Sequence, residues 1–252
     1  MGEQDEASVT GWHRGRGDRP PGRSRGLSQR DIVAAAVALA DAEGTDAVSI
    51  RRIARDLRVG AMSLYWHVSS TDELHRLMLE AVQAETEVPE PSGDWRADLR
   101  AYAHSTRAAL LRHPWASDFL AAGPPAGPAD AANADRLLAI LAGPGHDLRT
   151  DVWAAMTVWT YVLGAALREI QEIRWHRAQA EREAGMSAAE IAAEHDEFAH
   201  RIGGTGRYPN LGRLVEAGLD PDAPETRDER FEFGLTCVLD GIAANAGPPR
   251  AS

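Results

Sequence analysis

Side chains suited to contacting the polar edges of another molecule lie together in residues 61–67. They are Ala61, Met62, Ser63, Tyr65, Trp66 and His67. Ser63 can donate or accept a hydrogen bond, and Tyr65 and His67 carry polar groups at the ends of their rings. With small residues at its start that permit close approach, this mixture suits the base edges and phosphates of a DNA groove. The alternative is that Tyr65 and Trp66 are core aromatics of a helical hairpin.

Two short helices must hold this stretch in place. Apolar residues recur at helical spacing in residues 50–57, stop at the break formed by residues 58–60, and resume at Leu64 and Val68. A helix of about two turns cannot bury its apolar face alone. The pair therefore has to pack at a steep angle on a third helix, as in a helix-turn-helix.

The third helix comes before the pair. Ser28 begins the pattern of a capping box, an apolar stripe follows, and Gly44 marks the end of the helix. Ser49 is placed to cap the next helix. Arg51 and Arg52 fall in its first turn, where side chains and backbone N–H groups can meet a phosphate. A solvated helix face would also carry such arginines.

The local order of residues, above all Leu64-Tyr65-Trp66-His67-Val68, closely resembles the DNA-binding domain of TetR-family repressors. The residues that this resemblance places at a DNA interface are Ser49, Arg51, Arg52, Ala61, Met62, Ser63, Tyr65, Trp66, His67 and Thr71. The sequence departs from the family pattern where Thr71 replaces a phosphate-contacting lysine and where Arg58 replaces a glycine. Arginine can adopt a turn conformation at modest cost, and a threonine hydroxyl can still donate to a phosphate.

The charge distribution bears on this interpretation because affinity for phosphate comes from basic residues. The net charge is −11, yet residues 11–70 hold ten arginines against six acidic residues, and the excess of acid lies after residue 70. Residues 1–26 contain arginines interleaved with glycine and proline, for which no packed structure is expected. Such an arm can lie along phosphates or in a minor groove, or it can be a solvated tail.

The rest of the composition limits the class of protein. The single cysteine, Cys237, excludes an intrachain disulfide, and no apolar run approaches the roughly 18 residues needed to span a bilayer. With no apolar secretion signal at the N-terminus, we expect a soluble protein of the reducing cytoplasm. Cys237 lies on an apolar helix, which favours a small core residue over a thiol sensor.

No set of residues suited to catalysis or metal binding emerges. His195 and His200 are five positions apart, too far round a helix to share a metal easily, and Glu194 and Glu197 beside them are typical of a solvated face. The chain has no Walker A loop, no G-x-G-x-x-G motif after a strand, and no segment with the pattern of a strand. We therefore expect neither an enzyme nor a bound cofactor or metal.

A second helical domain follows a Pro-rich break at residues 89–93. Its longest helix is expected at residues 148–183, apolar on more than one face and therefore buried on several sides. Shorter helices come before it, the last of them at 136–141, and a further helix at 186–202 is followed by a loop at 203–206. The last helix, around residues 231–242, has small residues one heptad apart that permit close approach of a neighbouring helix, and it resembles the C-terminal dimerisation helix of tetracycline repressors. The resemblance implies an interface formed by Phe231, Gly234, Leu235, Val238, Gly241 and Ile242.

Several residues of this domain are candidates to line a cavity for an apolar, partly aromatic ligand, although they could equally be core. They are Tyr102, Thr106, Trp115, Met156, Trp159 and Leu163, together with Arg168. The groups with which tetracycline repressors hold their drug are not kept, because Tyr102 stands in place of an Asn, Thr106 of a Phe, and Arg168 of a metal-coordinating Glu. We therefore expect an aromatic or polyketide-like effector, bound without a metal and anionic so as to meet Arg168.

These patterns predict an all-α protein in three parts. An arm (residues 1–26) precedes a three-helix helix-turn-helix domain with its linking helix (27–88) and a larger ligand-binding and dimerisation domain (89–252). The resemblance implies a homodimeric repressor that binds a palindromic operator in double-stranded DNA and is released by a small organic effector. The rival is a helical small-molecule carrier or sensor without a DNA function.

Overall fold

A computed structural model describes residues 27–122, 127–142, 147–199 and 206–245. The arginine-rich arm, His200, the side chain of His195 and most of the predicted loop before Gly206 lie outside the described residues. Within them the chain is helical without strands, which confirms the predicted all-α fold. The helices are α1 (Gln29–Glu43), α2 (Ile50–Asp56), α3 (Ala61–Tyr65), α4 (Thr71–Gln83), α5 (Trp95–Arg112), α6 (Ala116–Ala122), α7 (Pro128–Leu141), α8 (Leu148–Glu183), α9 (Ala188–Ala199), α10 (Pro209–Glu216) and α11 (Arg227–Ala244).

Local capping defines the first three helices. The Ser28 side chain and Asp31 form a capping box at the start of α1, and α1 ends at Gly44, whose φ of 84° favours glycine. Ser49 caps α2 by accepting a hydrogen bond from the backbone N–H of Arg52 at 3.2 Å. The tight turn into α3 places Arg58 at a φ of 56°. An arginine thus adopts the left-handed conformation there, as the sequence predicts.

Helix α4 connects the N-terminal helices to the rest of the molecule. Ser70 caps it by accepting from the Glu73 backbone N–H at 3.1 Å, while the Glu73 carboxylate accepts from the backbone of Ser69 rather than from that of the cap residue. The inner face of α4 buries Leu74 and Met78 completely against α1. One hydrophobic cluster runs from these helices into the body of the protein. Its members beyond α4 are Ala109, Leu110, Trp115, Ala116, Leu120 and Ala166.

The body is arranged around α8, which packs on α5, α7 and α11. Its buried stripe consists of small and branched residues, which lets the neighbouring helices approach closely; these are Ala154, Val158, Val162, Ala166 and Ile170. The other apolar face of α8 was expected to be buried as well, but Trp153 and Met156 are exposed. Helix α7 begins at Pro128, earlier than the 136–141 segment predicted, and α10 was not predicted.

Helix α11 is buried on the side on which the sequence predicted a subunit interface. Phe231, Leu235 and Ile242 belong to the core that the protomer forms by itself, so these three residues pack on α5 and α8 of the same chain. The close approach at Gly234 is also internal, because a Cβ atom there would lie 2.4 Å from the Tyr161 hydroxyl. That hydroxyl donates to the Phe231 carbonyl at 2.6 Å. A second copy of the chain that packed on α11 would therefore meet the opposite side of this helix.

We expect Gly234→Ala to lower the free energy of unfolding by about 1–3 kcal/mol, because the Tyr161 ring has to move away from its hydrogen-bond acceptor. Gly164→Ala is the matched control, at an exposed glycine within α8. A Cβ atom there meets nothing within 4 Å, and alanine is the better helix former by about 1 kcal/mol. Thermal unfolding of both variants tests this. Equal melting temperatures would show that Tyr161 adapts at no cost.

Candidate DNA interface and ligand cavity

The outward side of α3 carries the side chains predicted to contact DNA. Trp66 and Met62 are 87% and 73% exposed and Tyr65 is 51% exposed, whereas Leu64 and Val68 are fully buried beneath them. Ser63 is also exposed, and Ala61 and His67 are half-buried. The alternative that Tyr65 and Trp66 are core aromatics is wrong. The buried residues Leu64 and Val68 thus anchor a short, uncharged, partly aromatic face that is exposed to solvent.

Hydrogen bonds hold the C-terminal end of this face. Gln29, at the start of α1, donates from Nε2 to the His67 carbonyl at 2.8 Å. Glu73 accepts from the Ser69 backbone N–H at 2.7 Å. Thr71, which is exposed at the start of α4, is therefore held in a fixed position next to the end of α3. The arrangement allows hydroxyl, indole and imidazole groups to be presented together to a flat, polar partner.

The two arginines at the start of α2 differ in their availability to phosphate. Arg51 is exposed and forms no ion pair with any residue that the structure describes. Arg52 donates to Glu43 at 2.6 Å and to Asp56 at 2.9 Å, and these hydrogen bonds raise the pKa of its guanidinium. Arg52 is therefore already neutralised by two carboxylates. It fastens α2 to the end of α1, so Arg51 is the better placed of the two to meet a phosphate, which stays a prediction.

We expect Arg51→Ala to flatten the dependence of DNA affinity on salt, with the slope of log K against log salt falling by about 0.9 for each copy of the lost contact. Arg52→Ala is the matched control and should change the slope much less, because its charge is balanced within the protein. The measurement is DNA binding titrated at several salt concentrations. An equal change in both variants would contradict this difference between the two arginines.

A polar cluster joins the DNA-binding helices to the body, and we call it the interdomain clasp: Asp41 of α1, Glu85 after α4, and His113 and Trp115 between α5 and α6. Trp115 donates from Nε1 to Asp41 Oδ1 at 2.7 Å, and His113 Nδ1 lies 2.8 Å from the same oxygen. The other ring nitrogen of His113 lies 3.2 Å from Glu85. Both rings are buried. Trp115 was predicted to line the ligand cavity, but its indole faces Asp41 instead.

A cavity of about 550 Å³ lies between α4, α5, α6, α7 and α8. Of the predicted ligand residues, Tyr102, Thr106, Met156 and Trp159 line it. Burial raises the pKa of Tyr102 to about 12, so its phenol stays protonated. Polar residues of α4, of the segment that follows it and of α7 also line the cavity, and they were not predicted. These are Gln83, Thr86, Asp130 and Asn133.

Leu163 and Arg168 do not line this cavity. Leu163 packs against the hydrophobic cluster shared with the DNA-binding helices. Arg168 lies in a separate depression between α8 and α11, where it pairs with Glu172 at 2.8 Å and also with Asp222. Burial alone would raise the pKa of Glu172, but hydrogen bonds from Arg230 and Arg168 outweigh it and lower the pKa to about 2. The expectation that Arg168 meets an anionic ligand in the cavity is therefore wrong.

The remaining observations concern Cys237, metal-binding groups and membrane-spanning helices. Cys237 is exposed on α11 and is not a core residue, contrary to the expectation. Among the described residues, no three His, Cys, Asp or Glu side chains are grouped so as to hold a metal ion. No helix in the described ranges is long and apolar enough to cross a membrane.

Comparison with known proteins matches both parts of the chain. Residues 32–77 match the bacterial regulatory proteins of the tetR family, and residues 88–246 match the tetracyclin repressor-like C-terminal domain. The HTH-type transcriptional repressor DrrR1 of Streptomyces coeruleorubidus is 35% identical over 235 residues, which cover 92% of this chain and 82% of that protein. The class A tetracycline repressor from transposon 1721 of Escherichia coli is 30% identical over 220 residues, with 86% and 91% covered.

A solved structure shows the same fold. ActR from Streptomyces coelicolor in complex with actinorhodin has a TM-score of 0.70 to this chain at 30% identity, covering 88% of this chain and 98% of that one. The similarity extends from the helix-turn-helix through the body that holds the cavity. By both parts of its sequence and by its fold, the chain belongs to the TetR family of bacterial transcriptional regulators and is not an enzyme.

Proposed function

We propose that this protein is a cytoplasmic, homodimeric transcriptional repressor that binds a palindromic operator and releases it when a small organic effector enters the cavity. The observation that carries the proposal is the course of α4. This helix begins directly after the exposed α3 face and ends at Val82 and Gln83 in the cavity wall. A ligand that prefers one position of α4 must shift the position of α3, and the size of the response is bounded by that preference.

A twofold dimer is supported by an unpartnered apolar surface. Phe233 of α11 is 74% exposed, and Trp153 and Met156 of α8 are exposed beside a groove between the two helices. Several large apolar side chains left exposed on two neighbouring helices support an interaction site there. A second copy of the chain is the occupant that family membership favours, with the same patch on both subunits. Two α3 helices would then face half-sites about one helical turn, roughly 34 Å, apart.

The interface that we propose differs from the predicted residue set. Gly241 remains in it because it is exposed, and Val238 lines the groove. Gly234 is only half-buried, but the ring of Tyr161 from the same chain fills the space beside its Cα atom. Phe233 and Cys237, which the sequence analysis did not include, lie on the exposed side of α11.

We expect Phe233→Asp to yield monomers, since burying an unpaired carboxylate in an apolar interface costs several kcal/mol. Met62→Asp is the matched control: its side chain is equally exposed, but it lies on α3. Light scattering of both variants gives the result. A dimeric Phe233→Asp protein with native helix content would place the interface on another surface.

The effector that we propose is a small organic molecule with an aromatic, apolar body. Trp159, Tyr102 and Met156 provide a broad apolar wall, and the volume suits a molecule of several fused rings. The ActR structure contains actinorhodin in a protein of the same fold, which agrees with a ligand of that size. The expectation that neither magnesium nor another metal takes part remains a prediction.

The test is a gel-shift titration with DNA flanking the gene for this protein, against shuffled DNA of equal length. We expect preferential binding to a palindromic segment, and loss of that complex when an extract containing the effector is added. A protein that binds a small molecule but shows no preference for any flanking segment would instead be a carrier or sensor without a DNA function.

A further inference from the structure

Three polar side chains of the cavity lie together at the end where α4 meets α7. Gln83 comes from the last turn of α4, and Asp130 and Asn133 come from the first half of α7. The remaining wall is mostly apolar, with Trp159 and Met156 from α8 and Leu110 from α5 among its members. A ligand that fills the cavity therefore meets a mostly apolar surface, this polar cluster, and the hydroxyls of Tyr102 and Thr106 on α5.

The Gln83 side chain is oriented by its neighbours, but only one of its two polar atoms has a hydrogen-bond partner. It is 7% exposed, and its Nε2 donates to Asp130 Oδ1 at 3.4 Å. Turning the NH₂ group toward the carboxylate turns the amide oxygen away, and this buried Oε1 atom has no hydrogen-bond partner. Its backbone carbonyl is already used, since it accepts from Asn133 Nδ2 at 3.2 Å. A buried acceptor without a donor is costly, and a ligand donor would remove that cost.

The charge at this end of the cavity is negative. Asp130 is the one acidic residue among the described residues of the cavity wall, and no Arg or His is among them. The nearby Glu80 is also acidic, and its Oε1 accepts from the backbone N–H of Ala129 at 2.6 Å. Burial, with a smaller contribution from Glu80, raises the pKa of the Asp130 carboxyl. A carboxylate in that situation is stabilised by a cation.

We propose that the effector is an aromatic cation whose charged N–H groups donate to the Asp130 carboxylate and to Gln83 Oε1 while its ring system lies against Trp159 and Tyr102. The inference rests on the proposed function of the cavity and specifies its ligand class. It replaces the anionic effector expected from Arg168, which lies in the other depression. The face of an aromatic ring attracts a cation electrostatically and does not attract an anion.

Three flat tricyclic probes of nearly equal size separate charge from shape: 9-aminoacridine as the cation, acridone as the neutral molecule, and acridine-9-carboxylate as the anion. Binding to the full chain is measured by calorimetry without DNA, because a planar cation also binds DNA. We expect the cation to bind at least tenfold more tightly than acridone, and the anion to bind most weakly.

Asp130→Asn should weaken 9-aminoacridine about ten- to hundredfold and leave acridone unchanged, because the amide keeps the shape of the carboxyl group and loses its charge. Asp135→Asn is the matched control, an exposed aspartate on the same helix that does not line the cavity. Gln83→Leu should also weaken the cation, by a smaller factor, while it removes the unpaired acceptor.

Two outcomes would overturn the inference. One is tighter binding of acridone or of the carboxylate than of the cation; the other is an Asp130→Asn protein that binds the cation as the wild type does. Failure of all three probes to bind would count against it as well. The proposed repressor function is judged separately, because the same preparation is assayed for operator binding in the gel-shift titration.

Discussion

Tyr65→Ala is expected to weaken operator binding by about a hundredfold or more. The exposed Tyr65 hydroxyl stands at the end of α3, where it can donate to a phosphate. A hydrogen bond to a charged group contributes about 1.5–3 kcal/mol, and a twofold dimer loses it at both half-sites. The fold should not change, because Leu64 and Val68 supply the buried side of this segment. Fluorescence anisotropy with labelled operator measures the loss.

Tyr208→Ala is the control for this substitution, since Tyr208 is a similarly exposed tyrosine next to α10. It should bind the operator as the wild type does. The same assay applied to His67→Ala tests the other polar ring at this end of α3. Wild-type affinity in both the Tyr65 and His67 variants at low salt would remove these residues from the DNA surface and move the interface toward α2.

Asp41→Ala is expected to have the second large effect, on stability and on operator binding together. Its carboxylate is the shared partner of two buried rings, those of Trp115 and His113. Leaving a buried donor without a partner costs about 1–3 kcal/mol, so the two together cost about 2–6 kcal/mol. For a chain of this size we expect a melting temperature lower by on the order of 10 °C.

The interdomain clasp also sets the orientation of α1 relative to the body, so the variant should bind operator less tightly even below its melting temperature. Asp46→Ala provides the control, because Asp46 is an exposed aspartate shortly after the same helix. A Trp115→Phe variant removes only the indole donor and should show roughly half of the thermal effect. If Asp41→Ala melts like the control, the clasp contributes nothing to stability.

Local signals in the sequence were enough to predict the N-terminal helices. Ser28, Gly44 and Ser49 lie where caps are needed, and the structure has helix boundaries at each. Helix α7 was placed too late because residues 129–134 are four alanines with one Asp and one Asn, without the large apolar residues whose periodicity indicates a helix. Helix α10 is short, and its apolar residues lie close to glycine and proline, so the surrounding pattern indicated a loop.

The cavity was harder to predict than the DNA interface. A recognition surface lies within one short stretch of chain, whereas the cavity wall comes from five separate helices. Gln83 could have been noticed, since it extends the buried side of α4 beyond Val82 as a polar residue in an apolar position. Asp130 gave no such signal, because an acid in the first turn of a helix ordinarily stabilises the helix N-terminus. Trp115 pairs with Asp41 and Arg168 with Asp222, both from distant parts of the sequence, and residue spacing within one helix cannot predict such contacts.

The hydrophobic cluster that continues from α1 and α4 into Leu110, Trp115 and Leu120 has a consequence for protein engineering. A fragment that ended after residue 88 would expose the side of α4 that these residues cover, and would lose the partners of Asp41. The DNA-binding helices are therefore not an autonomous folding unit, and calorimetry should record one cooperative transition. A chimera that transfers the operator specificity of this protein to another regulator should exchange the surface residues of α2 and α3 and keep the recipient's own α4.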